Sequence, residues 1–226
     1  MAMPVTVTVT ATATATATAC RDIISLGGFC ITSQALKDLK LKDYSCPFDW
    51  IFAFPSMVLF ILKDDFKGFL DRSKMISIEN KKTSCKARHS DFPDQSVVFN
   101  HHNPKEREDH HAYYTRCVQR FREAMSPVKT APVHLIMTAT GPCKESIFQE
   151  IYEVLCAMKQ SKEAVRLLVI HVNPTPPTEN ADHVIQEKGE WVHTKLWTQS
   201  GSSGLRFNDN RTQKAYHKII TDFINP

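Results

Sequence analysis

The stretch Ile23-Ile24-Ser25-Leu26-Gly27-Gly28-Phe29-Cys30 decides how the chain is read. A short apolar run, Asp22 to Leu26, has the character of a buried strand. Gly27-Gly28 supplies the backbone freedom for a sharp turn. A helix starting at Cys30 follows, because Ile31, Ala35 and Leu39 fall at i, i+4 and i+8 and form one apolar stripe. Lys37 and Lys40 lie toward its C-terminal end, where cations are favoured. A cysteine presented where a strand turns into a helix is a way to offer a nucleophile. The thiolate is the reactive form, and helix-start N–H groups favour an anion there. A buried thiol that only packs is the plainer alternative.

Outward from this stretch, strand and helix patterns alternate. Pro47 pushes Cys46 to an extended conformation, so Asp43 to Asp49 reads as a loop. A dense aromatic group, Phe48, Trp50, Phe52 and Phe54, comes next. Pro55-Ser56 opens a second helix whose inner face is Val58, Leu59, Leu62, Phe66, Phe69 and Leu70. Arg72 to Asp94 is weakly patterned and reads as a long surface loop. Ser96 to Asn100 is a short strand running into His101-His102-Asn103-Pro104. Helices are expected over Asp109 to Met125, Glu145 to Lys159 and Thr212 to Ile224. Strands are expected over Val133 to Thr138, Val165 to Val172 and Trp191 to Trp197. A Pro-rich loop covers Pro174 to Asn180. The near-continuous apolar run at Val165 to Val172 is of the kind buried on both faces of a sheet. The expected fold is a single three-layer α/β domain with a mainly parallel central sheet. Cys30 then sits at the carboxyl end of the first strand, the end where open α/β sheets bind ligands.

Composition sets outer limits. The 226 residues suffice for one substantial domain. Net charge is +4, too mild to imply nucleic acid or a membrane surface as partner. No apolar run reaches the length needed to span a bilayer. The 7 cysteines are scattered and show no zinc spacing, which reads as reduced thiols in an intracellular, cytoplasmic protein. Residues 1–20 include an alternation of Thr with Val or Ala, read as a low-complexity disordered leader outside the fold. It has neither the basic start of a secretory signal nor the scattered arginines of a transit peptide.

Several side chains could complete a site around Cys30. His101 or His102 could act as general base, and since neighbours on a strand point to opposite faces, only one of them can face it. Asp49 could orient the histidine, or could close a turn. Asp209, with Asn210, is a second candidate for that role, and equally a cap for the last helix. His101, His102, His110 and His111, with Asp109, could instead hold a metal. The helix face bearing Arg116, Arg120 and Arg122 reads as solvated. Gly27-Gly28 and Gly141-Pro142-Cys143-Lys144 match no phosphate-loop motif.

Ser25-Leu26-Gly27-x-x-Cys30, Leu36-Lys37-x-Leu39 and Ser45-x-Pro47-Phe48-Asp49-Trp50-Ile51 together resemble a domain-of-unknown-function family called putative papain-like cysteine peptidases. Phe99-Asn100-His101-His102, Tyr114-x-Arg116-x-x-x-Arg120-Phe121 and Leu205-Arg206-Phe207-x-Asp209-Asn210 are similar to it as well. The resemblance implies a cysteine nucleophile at Cys30 and a base at His101 or His102. It implies hydrolysis or transfer at a peptide or acyl bond, with no cofactor and no metal. It also implies an alternative fold, a papain-like α+β core with the cysteine helix on an antiparallel sheet. The competing expectation is a non-catalytic α/β binding or accessory domain for a sugar or nucleotide. The sequence does not settle the oligomeric state.

Overall fold

The computed structural model describes residues 22–78, 86–173, 183–187, 191–199 and 201–226. The expected leader over residues 1–20 and the Pro-rich loop over 174–180 lie outside the described residues. The elements run β1 (Asp22–Ser25), α1 (Ile31–Asp38), α2 (Pro55–Lys63), α3 (Lys67–Leu70), β2 (Met75–Ser77), β3 (Ala87–His89), α4 (Glu108–Ala124), β4 (Val133–Thr140), α5 (Glu145–Lys159), β5 (Val165–Asn173), β6 (His183–Glu187), β7 (Val192–Trp197) and α6 (Asn210–Ile224).

A five-stranded sheet in the order β1-β4-β5-β7-β6 forms the middle layer. Its first four strands are parallel, and β6 pairs antiparallel to β7 at the edge. Side chains of successive strand residues point to opposite faces, and the sequence supplies apolar residues to both. Leu135 and Met137 of β4, with Leu167 and Val169 of β5, join the core beneath α2, α4 and α5. Ile136 of β4, with Leu168 and Ile170 of β5, joins a second core with Ile31 and Leu36 of α1 and Tyr216 and Ile220 of α6. The fold is therefore three-layered α/β with a mainly parallel sheet. The cysteine-bearing turn is fed by a parallel strand, so the arrangement implied by the papain-like label, a helix on an antiparallel sheet, is not the one formed here.

Three expectations change. The helix opened by Pro55 stops at Lys63, because Asp65 and Phe66 take left-handed φ values of 49° and 61° before α3 begins. Its expected inner residues Val58, Leu62, Phe66 and Phe69 are still buried. The region from Arg72 to Asp94 is more than a surface loop: β2 and β3 pair there, burying Met75, Ala87 and His89. Each strand is three residues long, too short for a periodic signal. Ser96 to Asn100 does not form a strand. Only Phe99 bridges, to Ala87 on one side and Ile51 on the other, before the chain turns away at Asn100. The β6 edge strand was not expected at all.

Candidate active site

The site begins with the turn from β1 into α1. Pairing with β4 continues past β1: the N–H of Leu26 donates to Ile136 O at 2.8 Å, and the N–H of Thr138 donates to Gly27 O at 3.2 Å. The chain then turns through left-handed φ values of 93° at Gly27, 84° at Gly28 and 58° at Phe29. Gly28 has no alternative there, since a Cβ would lie 1.6 Å from Thr138 O. The turn delivers Cys30 to the N-cap position of α1, with its side chain 2% exposed.

Beneath the turn three buried hydroxyls interlock. Thr32 Oγ1 donates to Gly27 O at 2.9 Å and lies 2.8 Å from Thr138 Oγ1. Thr138 Oγ1 is 2.5 Å from Tyr216 Oη, which donates to Thr32 Oγ1 at 3.3 Å. One residue each from α1, β4 and α6 thus fixes the turn. Nothing in the sequence flagged the group beyond the inward placement of Tyr216 on its helix.

The partner of Cys30 comes from the segment after Phe99. Phe99 is fully buried and bridged on both sides, which fixes the chain immediately before Asn100. Cys30 Sγ lies 3.4 Å from His101 Nε2. The edge of the Trp50 and His101 rings meet at 6.2 Å between centroids, with planes at 90°. Lys37 and Lys42 lie over the Trp50 ring at 5.6 and 5.9 Å. Asn100 Nδ2 is 3.3 Å from the same His101 Nε2.

Burial pushes the Cys30 thiol up to about 11, and the negative charge of Asp49 adds to the rise, opposed by the cysteine's own backbone N–H. Burial also lowers the His101 imidazole, with a further contribution from the Lys86 charge. Both shifts favour the uncharged forms, so the resting pair is a neutral thiol beside a neutral imidazole.

The other proposed residues sit elsewhere. His102 packs against α4. It stacks on Tyr113 at 4.5 Å and meets His110 edge-on at 4.8 Å. Burial, then the neighbouring His110 charge, depresses it to about 4. Asp49 is fully buried. It accepts from the Cys46 N–H at 2.5 Å and is ion-paired with Lys42, whose ammonium also reaches Ser33 Oγ at 2.7 Å. Burial raises the Asp49 carboxyl, and Lys42 opposes the rise. Asp49 therefore closes the Cys46–Asp49 turn. Asp209 caps α6, accepting from the Thr212 N–H at 2.7 Å. It borders a cavity of about 270 Å³ at the carboxyl end of β7, lined also by Trp197, Thr198 and Arg211. Among the described residues no carboxylate bonds to the His101 ring. The four histidines do not converge: His110 Nδ1 accepts from the Asn103 N–H, and His111 Nε2 meets Leu70 O. No cluster of three His, Cys, Asp or Glu side chains able to hold a metal ion occurs among the described residues. Cys30, Cys46, Cys117, Cys143 and Cys156 are free thiols. Among the described residues no helix is long and apolar enough to cross a membrane.

A strand, a glycine turn and a helix-start cysteine facing an imidazole define a thiol site on an α/β sheet. The chain belongs to the family described as "Putative papain-like cysteine peptidase (DUF1796)", whose model matches residues 21–173. That stretch holds Cys30, Asp49, Asn100, His101 and His102, and ends with β5; Asp209 and the Leu205–Asn210 segment lie beyond it. No curated protein and no solved structure matches the chain.

Proposed function

We propose that the protein is a thiol hydrolase or acyltransferase acting on a peptide or acyl bond, with Cys30 as nucleophile and His101 as its base. The observation that carries this reading is the 3.4 Å approach of Cys30 Sγ to His101 Nε2 across 71 residues of chain. Family membership supports the general kind of chemistry, cysteine-dependent peptide hydrolysis.

The neutral resting pair sets the mechanism. A thiol held near 11 contributes little free thiolate at neutral pH. His101 must take the proton as Sγ attacks, and an unprotonated imidazole is ready to do so. The proton then passes from Nε2 to the leaving group as the tetrahedral intermediate collapses. Water, or an acceptor nucleophile, releases the acyl group from Cys30 with His101 again as base. The N–H groups of the first turn of α1, which lack partners within the helix, favour negative charge near Sγ. No cofactor enters this sequence.

The test is turnover of a panel of peptide and activated-ester substrates by the wild-type chain and by Cys30→Ser. Turnover lost in Cys30→Ser and traced to an acyl adduct on Cys30 is the expected result. Equal turnover by both proteins excludes the reading.

One observation favours a second reading. Cys30 is nearly buried with a raised thiol, and the 270 Å³ cavity beside Asp209 opens at the carboxyl end of β7. A non-catalytic domain binding a sugar or nucleotide at that cavity would leave Cys30 a packing residue. It predicts ligand binding that survives Cys30→Ser and is lost on blocking the cavity.

A further inference from the structure

We propose that Asn100 is a catalytic residue of the Cys30–His101 reaction, its amide N–H bonding to His101 Nε2 at rest and to the substrate oxyanion during attack. The inference rests on the dyad reading above. Two groups converge on one nitrogen: Cys30 Sγ at 3.4 Å and Asn100 Nδ2 at 3.3 Å, both measured to His101 Nε2. An amide NH₂ can only donate. With the amide nitrogen facing the ring, His101 Nε2 presents its lone pair and the ring proton sits on Nδ1. The thiol S–H and the amide N–H share that single lone pair as a three-centre contact, at 3.4 and 3.3 Å, and it is the acceptor for the cysteine proton.

The arrangement changes sign when the proton moves. Once Nε2 carries hydrogen, an N–H faces the amide N–H, and the contact that held Asn100 in place becomes repulsive. In the same step Sγ forms a bond to the carbonyl carbon, and the C=O π pair moves to oxygen as an oxyanion. That oxygen is one bond removed from the carbon attached to Sγ, beside the groups bordering the sulfur. Asn100 loses an acceptor at the moment a better, charged one forms next to it. The repulsion also disfavours a lasting imidazolium. It drives the Nε2 proton on to the departing amine or alkoxide as the C–N or C–O bond breaks and the oxyanion pair re-forms the carbonyl. The chain entering this position is anchored, since Phe99, immediately before Asn100, is bridged to both Ala87 and Ile51.

The experiment compares two reagents on the full chain, with modification mapped to Cys30 by peptide mass. p-Nitrophenyl acetate acylates through an oxyanion, and iodoacetamide alkylates without one. In Asn100→Ala, acylation of Cys30 should fall on the order of a hundredfold, the usual effect of losing one oxyanion donor, while alkylation stays within about threefold. Asn100→Asp supplies a second reading: its carboxylate accepts from a protonated Nε2, so alkylation should rise while acylation stays low. The proposal is overturned if both reactions fall together in Asn100→Ala, if acylation is unchanged there, or if wild-type Cys30 is not acylated at all. Acylation that survives His101→Ala sinks the dyad reading itself. Acylation that needs His101 and ignores Asn100 sinks only this proposal.

Discussion

Substituting Gly28 by alanine should disable the turn that presents Cys30, by an amount that follows from two separable costs. The first is conformational: φ at Gly28 is +84°, and an L-residue in the left-handed region costs about 1–2 kcal/mol. The second is steric. The added Cβ would stand 1.6 Å from Thr138 O and 2.5 Å from Thr138 C, both backbone atoms of a central strand. Relief requires the turn to move off β4. That movement breaks the bond from the Thr138 N–H to Gly27 O and the bond from the Gly28 N–H to Ala53 O. A buried backbone group left unpaired costs about 1–3 kcal/mol. With two such bonds broken, the costs together come to about 3–8 kcal/mol, comparable with the whole stability of many domains. Gly141→Ala is the matched control, because its φ is +72° and a Cβ there meets nothing within 4 Å. Urea unfolding followed by circular dichroism separates the two. Gly141→Ala should lose only the conformational part. Gly28→Ala should lose at least about 2 kcal/mol more, or fail to fold. Two variants of equal stability would refute the argument that backbone overlap at Thr138 dictates glycine at this position.

Other outcomes follow from the same residues. His102 is held near 4 against about 6.5 in an unfolded chain. Its folded pKa is depressed, so the unfolded state binds the extra proton between those values. Its contribution to stability is constant above about pH 6.5 and falls as pH drops toward 4, by about 1–2 kcal/mol after solvent screening of a half-buried ring. His102→Phe should remove that part of the slope in pH-dependent denaturation. Lys159, almost wholly buried at the end of α5, donates from Nζ to Ala124 O, Ser126 O and Lys129 O at 3.0, 3.1 and 2.6 Å. It thereby satisfies carbonyls at the end of α4 and in the following turn. Lys159→Met should cost about 2–4 kcal/mol, read from the shift in urea midpoint. Alkylation of Cys30 by iodoacetamide should keep rising with pH to about 11. Asp49→Asn, which removes the neighbouring negative charge, should move that midpoint down.

Most of the architecture was legible because periodicity carries it. Val133 to Thr138 and Val165 to Val172 supply apolar residues at odd and even positions alike, which only a strand covered on both faces can use. Gly27-Gly28 before Cys30 announced the strand-to-helix turn through its backbone requirement. What escaped detection was short or tertiary. β2 and β3 each bury only one or two residues, and the break between α2 and α3 falls inside an unbroken apolar pattern. At the site, the sequence offered Cys30 as a candidate and left His101 and His102 as alternatives. Which of the two faces Cys30 depends on how Phe99 is bridged, and no local pattern encodes that. Asp49 and Asp209 each allowed two readings from the sequence, an orienting acid or a group that closes a turn or caps a helix. Lys42 and the Cys46 N–H engage the first, and the Thr212 N–H engages the second. The Thr32–Thr138–Tyr216 hydroxyls and the Asn100 amide were invisible because they acquire meaning only across elements.

The most direct test of the central claim is the rate at which p-nitrophenyl acetate acylates Cys30 near neutral pH in His101→Ala and in His102→Ala, each compared with wild type. A base in contact with the nucleophile contributes on the order of a hundredfold or more. His101→Ala should therefore slow acylation by at least that factor, and His102→Ala should leave it within about threefold. Equal rates in the two variants, or a loss confined to His102→Ala, would contradict the assignment of Cys30 and His101 as the reacting pair.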